Sequence, residues 1–307
     1  MDFQTASKLT DEQARTYLES LRWPNGPVCP HCGKNGAAKL NGKATRPGVH
    51  KCKNKECRKQ FTVTVGTIFE RSHIGLREWV MAFALVCASK KGISALQLQR
   101  MLGLKSYKSA WHLAQRIRHA MRSEPLRGML AGTIEMDETY IGGRAPKMDR
   151  NDKKPRRIPA KTLVVALIER NGKMRAKAVD RVTGENLPQA VRESVDVMQS
   201  KLMTDELRLY RPIGERFLNG HETVCHSLDE YVRGDAHVNT CESWFALLKR
   251  GIHGSFHHVG KQHLQRYCDE FAFRWNHRKT TDAARTEAAL RLAPGTRLFY
   301  RTASTAG

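Results

Sequence analysis

The sequence predicts an α+β protein of several domains, and three observations predict this class. Two pairs of cysteines lie close together near the N-terminus, apolar residues recur at helical spacing from residue 74 to 122, and strand patterns alternate with helical ones in the second half. A chain of 307 residues is also long for one domain. We predict an N-terminal helical extension over 1–25, a cysteine-bound ribbon over 26–66, a helical segment over 67–125, an α/β domain with a mixed sheet over 126–285, and a tail over 286–307.

The charge is strongly unbalanced. Fifty-three Lys and Arg oppose 30 Asp and Glu, which leaves a net charge of +23. A protein this basic attracts polyanions, so nucleic acid is the first candidate partner, and a generally basic, ribosome-like protein is the alternative. The N-terminus is polar and the longest apolar run, Trp79 to Ala88, has ten residues, whereas a bilayer takes about 20. We therefore expect no membrane contact and a cytoplasmic, nucleoid-associated protein.

The first cysteine pair, Cys29 and Cys32, is separated by 19 residues from the second pair, Cys52 and Cys57. Two knuckles with two thiolates each supply the tetrahedral ligand set of a structural Zn²⁺, and Gly33 allows the sharp turn beside the metal. The sequence therefore predicts a zinc ribbon. His31 and His50 are spare candidates, but four thiolates already close the shell. We interpret the remaining cysteines as small buried hydrophobic residues: Cys87, Cys225, Cys241 and Cys268.

Residues 74–122 read as helices. Apolar residues up to Leu102 are followed by Gly103, a polar restart and a helix whose outer side is basic. Helix, short glycine-containing turn and basic helix is typical of a helix-turn-helix DNA-binding segment, although a helical hairpin with a solvated basic face has the same pattern. The candidate DNA-contacting residues of this segment are Lys108, Arg116, Arg118 and Arg122.

The second half predicts a sheet of mixed direction. The first strand ends near Asp137, and the pair Asn171-Gly172 is a hairpin signal between two later strands. The order of three strands, helix, strand, helix, strand, helix matches an RNase H-like domain, in which three antiparallel strands lead into parallel βα units. We predict strands over 132–141, 162–168, 174–179, 201–205 and 223–227, and helices over 183–197 and 238–277.

Three acids fall at informative places in that order. Asp137 and Asp205 end strands that are neighbours at the centre of such a sheet, and Glu242 lies on the last helix. Three converging carboxylates suit a pair of Mg²⁺ or Mn²⁺ ions that promotes in-line phosphoryl transfer. Lys249 and Asn239 share the helix face of Glu242 and would contact DNA beside the metals. From the pattern alone other acids compete for these places: Glu135, Glu138, Asp229 and Asp235.

The chain from about residue 15 to 285 resembles bacterial insertion-sequence transposases that join an N-terminal zinc ribbon to a DDE domain, the ISXO-type group. The resemblance rests on the first knuckle at 29–33, the block at 132–143, Thr204-Asp205-Glu206, and the block from Asn239 through Lys249 to Asn276. It implies that Asp137, Asp205 and Glu242 bind the catalytic metals and that Lys249 assists. One departure is Arg211-Pro212, which interrupts the helix expected after the second acid.

The resemblance also implies a function. A transposase of this type binds the terminal inverted repeats of its element in double-stranded DNA, cleaves a strand, and joins the 3′-OH to target DNA as a multimer. Two alternatives stay open: a zinc-ribbon DNA-binding regulator without catalysis, and an RNase H-like nuclease without strand transfer. Dependence of cleavage on Asp137 separates the first alternative from the transposase, and strand-transfer products separate the second.

Overall fold

The computed structural model describes residues 1–122, 128–142, 161–180, 184–295 and 297–299. These residues form two compact units. The first contains the described residues up to 122 and the segment that begins at His277, and the second contains those from 128 to Asn276. The segment 144–161, rich in Lys and Arg, is predicted from the sequence as a loop, and its residues up to 160 lie outside the described residues. None of the helices described is long and apolar enough to span a bilayer.

One helix forms the centre of the first unit. Leu76–Ala88 is buried at nine consecutive positions from Trp79 to Cys87, as expected for a helix that is apolar on all sides. The other helices of the unit pack around it or around one another. In chain order these helices are α1 (Phe3–Ser7), α2 (Asp11–Arg22), α3 (Leu76–Ala88), α4 (Ala95–Met101), α5 (Tyr107–Met121) and α10 (Asp282–Arg291).

The ribbon is an antiparallel three-stranded sheet in the order β1 (Ala37–Lys39), β2 (His50–Cys52) and β3 (Gln60–Phe61). Its strands are short: the sequence is strand-like over 60–65, but β3 ends at Phe61. The inner side packs on Trp23, which directly follows α2 and meets the rings of His50 and Phe61 edge-on at 5.4 and 5.7 Å. The ribbon is therefore fixed to the N-terminal helices by an aromatic cluster.

The last helix belongs to the first unit. Thr281 caps α10 by accepting a hydrogen bond from Ala284, and Arg285 donates to the carbonyl of Cys87 at the end of α3 at 3.0 Å. The backbone of Ile68 then donates to Ala293 at 3.1 Å. The sequence pattern gave no sign of this return of the chain to its N-terminal half.

The second unit is built on a five-stranded sheet in the order β6-β5-β4-β7-β8. β4 pairs antiparallel with β5 and parallel with β7, and β8 is parallel to β7. This is the mixed order of an RNase H-like sheet, as predicted. The strands are β4 (Leu130–Ile141), β5 (Thr162–Glu169), β6 (Met174–Val179), β7 (Val195–Thr204) and β8 (His221–Thr223).

Helices cover both faces of this sheet, which explains why β5 is buried along almost its entire length. On one face Ile134, Met136 and Leu202 form a core with residues of α6 (Asn186–Arg192) and of the segment that contains α7 (Arg211–Gly214). On the other face Val164 and Ala166 pack against α8 (Asn239–Gly251) and α9 (Lys261–Asn276).

Side chains of α9 form hydrogen bonds with the backbone of β6, the strand at one edge of the sheet. Gln265 accepts a hydrogen bond from the backbone of Ala178 at 2.7 Å and donates to Ala176 at 3.0 Å. Asn276 accepts from the backbone of Met174 at 2.8 Å. Several outward-facing backbone groups of edge strand β6 are thereby paired, which limits edge-to-edge association of the sheet.

Three element limits differ from the prediction. The helix predicted over 183–197 ends at Arg192, and β7 already begins at Val195, so the strand that leads to Asp205 is twice as long as expected. β8 covers His221–Thr223, and residues 226–228 form a 3₁₀ turn instead of strand. Local β-branched content marks a strand but does not fix its ends, because long-range pairing decides them.

The departure at Arg211-Pro212 is accommodated. A 3₁₀ turn over Arg208–Tyr210 leads into the one-turn helix α7, where Pro212 occupies the first turn and needs no donor of its own. Tyr210, Ile213 and Phe217 fill the core beneath the sheet. The interruption therefore turns the chain after Asp205 and leaves the acid in place.

Candidate active site and zinc centre

The four predicted zinc ligands lie together. The Sγ atoms of Cys29 and Cys57 are 3.8 Å apart, those of Cys32 and Cys52 are 3.7 Å apart, and all four lie within 4.8 Å of one another. Tetrahedral Zn–S bonds of about 2.3 Å place the sulfurs about 3.8 Å apart, so the spacing fits Zn²⁺. The ligand set is closed, as a structural site requires.

The backbone at the knuckles supports this arrangement. Gly33 adopts a φ of 71°. Its N–H donates to the backbone carbonyl of Cys29 at 2.9 Å, which closes the turn beside the first two ligands. The backbone N–H of Lys34 lowers the pKa of the Cys32 thiol to about 7, whereas burial raises that of Cys52 to about 12. His50 stacks on Phe61 in the aromatic cluster and His31 is exposed, so the ligand group consists of the cysteines.

The predicted carboxylates lie on the α8 side of the second unit. In the parallel register of β4 and β7, Glu135 lies beside Met203. Two residues further along each chain are Asp137, near the end of β4, and Asp205, directly after β7. Neighbours in a parallel pair point to the same face, so the two aspartates share one edge and one face of the sheet. Both are partly exposed.

Glu242 lies in the first turn of α8, and Lys249 follows two turns later on the same face. Burial raises the pKa of the Cys241 thiol well above its usual value, and the charges of Asp137, Glu135 and Glu242 raise it further. The Cys241 thiol also donates to the backbone carbonyl of Glu135 at 3.4 Å, so the start of α8 lies against β4, on the side of the sheet that carries Asp137. Glu242 and Asn239 are exposed, and Lys249 is partly exposed.

The three acids are spread more widely than the ligands of one ion. In the described part of the chain, only the four cysteines bring three or more ligand atoms within 4.8 Å of one another. Asp137, Asp205 and Glu242 therefore do not form a single closed metal cage. Carboxylate oxygens are the ligands that Mg²⁺ and Mn²⁺ prefer, so the chemistry of these acids fits such ions.

Glu138 belongs to the same edge, although strand alternation turns it to the opposite face. Its carboxylate accepts a hydrogen bond from the hydroxyl of Tyr210. Burial raises the pKa of Glu138 to about 8, and the charges of Asp205 and Asp137 add to the effect. The edge therefore carries an excess of negative charge, which favours cations. The sequence offered Glu138 only as a competitor of Asp137.

The other competing acids are arranged differently. Glu135 shares the face of Asp137, as the alternation predicts, but it is completely buried and accepts hydrogen bonds from the start of α8. Asp229 and Asp235 are exposed in the loop between β8 and α8. Because Glu135 and Asp137 lie on the same face of β4, strand alternation cannot decide which of them is a candidate metal ligand. The complete burial of Glu135 decides it.

Two of the predicted DNA contacts are wrong in their placement. Arg116 and Arg118 were expected on the outer side of α5, but they are 6% and 2% exposed. Arg116 donates to the carbonyl of Glu70 at 2.6 Å and lies 5.2 Å from the ring of Trp79. Burial lowers the pKa of Arg116 to about 10. The basic residues Lys108 and Arg122 are exposed, as predicted.

The interpretation of the remaining cysteines holds for three of them. Cys87, Cys241 and Cys268 are buried, but Cys225 is partly exposed and its thiol donates to Glu206, which also accepts a hydrogen bond from Ser227. Cys225 follows the short edge strand β8, where one side of the chain meets solvent. It is therefore not a core residue.

Together the fold and the site define a zinc-ribbon protein with an acid-lined RNase H-like domain. A family described as the ISXO2-like transposase domain matches residues 129–276, and one described as the transposase zinc-ribbon domain matches residues 9–60. An "Uncharacterized protein in transposable element ISH50" from Halobacterium salinarum is 30% identical over 282 residues, which cover 87% of this chain and 91% of that protein. The chain belongs to the insertion-sequence transposases with a zinc ribbon and an ISXO2-like transposase domain.

A solved structure is also similar in part. The "Crystal structure of the Mos1 Strand Transfer Complex" shares 14% identity with this chain and covers 64% of it and 75% of its own chain, with a TM-score of 0.25. A similarity this low carries no argument about the site.

Proposed function

We propose that this transposase binds double-stranded DNA at the ends of its element, hydrolyses a strand there, and joins the resulting 3′-OH to target DNA. The observation that carries the proposal is the parallel register of β4 and β7. It gives Asp137 and Asp205 the same edge and face of the sheet, while α8 brings Glu242 to the same face. Carboxylates from three distant parts of the chain at one edge suit phosphoryl transfer.

Asp137, Asp205 and Glu242 would hold a pair of Mg²⁺ or Mn²⁺ ions. When bound, such a pair activates the attacking oxygen and stabilises the leaving oxygen of an in-line displacement. The chain supplies no covalent nucleophile in this scheme. Its own part is to hold the three carboxylates in place and to align the DNA backbone across them.

Lys249 and Asn239 would contribute to that alignment. Both lie on α8, which also carries Glu242, and Asn239 is exposed at the first position of the helix. A lysine ammonium two turns beyond Glu242 can pair with a phosphate oxygen, while the amide of Asn239 can donate to a phosphate or sugar. We propose that they hold the reacting strand.

The ribbon and the helical segment would recognise the element ends. Between Cys29 and Phe61 the chain has nine Lys and Arg residues, all exposed, against one acid, Glu56. Charge of one sign at this density suits the phosphate backbone and makes binding strongly dependent on salt. We assign Lys108 and Arg122 to the same role. The basic residues of the ribbon are Lys34, Lys39, Lys43, Arg46, Lys51, Lys53, Lys55, Arg58 and Lys59.

Transposition needs two element ends in one assembly, so we propose that the active form is a homo-oligomer. The regulator and the nuclease remain as alternatives. Retention of all three acids and of Lys249 favours catalysis over a purely regulatory role, since a regulator has no use for this donor set.

The test uses Asp137→Asn and duplex DNA that ends in the repeats flanking the gene. Asn keeps the size of Asp but removes the charge that a hard cation requires. We expect end binding to stay within about twofold, because phosphate contacts elsewhere supply it, while cleavage and joining in Mg²⁺ are lost. Asp235→Asn, an exposed acid of the neighbouring loop, serves as the matched control and should retain both steps.

Each alternative has its own outcome. Cleavage by Asp137→Asn would overturn the site assignment. Cleavage by the wild type without any strand-transfer product would establish the nuclease, and binding without cleavage would establish the regulator.

A further inference from the structure

Glu135 is a completely buried carboxylate on β4, two residues before Asp137. An ionised carboxylate is expensive to bury unless it is paired and hydrogen-bonded. The proposed reaction does not use Glu135, because the residue has no exposed surface that could reach DNA or a metal ion. Its contacts must therefore account for its place in the core.

These contacts lead to the first turn of α8. One oxygen of Glu135 accepts the backbone N–H groups of Thr240 and Cys241 at 2.7 and 3.3 Å, and the other accepts the Thr240 hydroxyl at 2.8 Å. The N-cap residue Val238 has no side-chain acceptor of its own. Glu135 thus caps α8 from a neighbouring strand and satisfies amides that the helix leaves without partners.

A cation completes the cluster. Arg170, at the turn between β5 and β6, donates from Nε to Glu135 at 2.7 Å and from Nη2 to the carbonyl of His237 at 3.0 Å. The imidazole of His237 lies 3.4 Å from the same carboxylate. One buried charge therefore joins β4, the β5–β6 turn and the chain that enters α8.

This geometry fixes two candidate metal ligands relative to each other. Asp137 is two residues after Glu135 on the strand, and Glu242 is two residues after Thr240 on the helix. Between the buried carboxylate and each ligand there is only a short stretch of regular backbone. A displacement of the α8 start would move Glu242 while leaving Asp137 in place.

We propose that Glu135 is a positioning residue that sets the distance between Glu242 and Asp137, with Arg170 as its counter-ion. The inference rests on the proposed two-ion site. Residues that orient metal ligands through hydrogen bonds typically change metal affinity or activity about 10-fold to 100-fold when they are replaced. A residue that only stabilised the core would instead weaken the whole unit.

The test compares Glu135→Gln with Glu193→Gln, an exposed acid paired with Lys177 at 2.9 Å on the other face. Gln at 135 has the right size, but its NH2 group replaces one of the two acceptor oxygens and so meets donors either of Arg170 and the Thr240 hydroxyl or of the first α8 amides. Hydrogen exchange of backbone amides is measured in the protein without DNA, and Mn²⁺ binding is measured by electron paramagnetic resonance.

In Glu135→Gln we expect at least about tenfold faster exchange in the first turn of α8, unchanged exchange in β5, and about 10-fold weaker Mn²⁺ binding. Thr240→Val, which lacks only the donor hydroxyl, should also speed exchange in the first turn of α8 and weaken Mn²⁺ binding, but by less. Thr240→Ser, which keeps the hydroxyl, should match the wild type in both measurements. Glu193→Gln should match the wild type.

The positioning role would be overturned if Glu135→Gln matched the wild type in the exchange rates of the first turn of α8 or in Mn²⁺ affinity. Equally faster exchange in β5 would also overturn it, because the effect would then be on the whole unit. Failure of the proposed function looks different: the wild type itself would show no Mn²⁺ binding that depends on Asp137.

Discussion

Replacement of Glu138 by Gln should stabilise the second unit at alkaline pH. Burial, followed by the charges of Asp205 and Asp137, raises the pKa of Glu138 from 4.5 to about 8. The pKa of Glu138 is therefore higher in the folded unit than in the unfolded chain. At pH values between the two, the folded unit keeps a proton that the unfolded chain has lost. The stabilising contribution is complete below pH 4.5 and is lost as the pH rises through about 8.

The magnitude follows from the pKa difference. A difference of about 3.5 corresponds to roughly 5 kcal/mol of the free energy of unfolding. Because the side chain is partly exposed, solvent screening reduces this value, and we expect about 2 kcal/mol. Gln keeps an acceptor for the Tyr210 hydroxyl and does not titrate, so Glu138→Gln avoids the loss at high pH.

Hydrogen exchange of the β5 amides reports the stability of this unit, because β5 is its most buried strand. Without added divalent ions, Glu138→Gln should exceed the wild type by about 2 kcal/mol near pH 8.5 and match it near pH 5. Glu215→Gln, an exposed acid beside α7, is the control and should not change the profile. A Glu138→Gln protein that is less stable than the wild type near pH 8.5 would refute the reasoning.

Three further variants test the first unit. Cys57→Ser should abolish stoichiometric zinc binding and the exchange protection of β2, because zinc contributes about 10 kcal/mol to such folds. The amides of α3 should stay protected, since this helix has its own apolar core. Loss of protection in both β2 and α3 would contradict this. Arg116→Met should cost about 2 kcal/mol in thermal unfolding because the Glu70 carbonyl loses its buried donor, and an unchanged melting temperature would argue for a surface role. Lys108→Ala should instead leave the melting temperature unchanged, weaken end binding, and lower the salt dependence by about one phosphate; a salt dependence equal to the wild type would exclude the contact.

The sequence determined those features that depend on local spacing. Paired cysteines at ligand spacing predicted the zinc centre because a tetrahedral ion needs four thiolates in two turns. The order of strand and helix patterns predicted the mixed sheet, since few topologies accommodate that order. Asp137 and Asp205 were assigned to neighbouring strand ends on this basis, and the register of β4 and β7 agrees with that arrangement.

Only the tertiary structure decided which side of each element is covered. Arg116 and Arg118 have the composition of a DNA-binding face, but other parts of the unit bury them, and no local pattern records that packing. The start of β7 at Val195 depends on pairing with β4, more than 60 residues earlier in the chain. The role of Glu135 is of the same kind, because its partners lie about 35 and 105 residues away and meet it only once the sheet and α8 have packed.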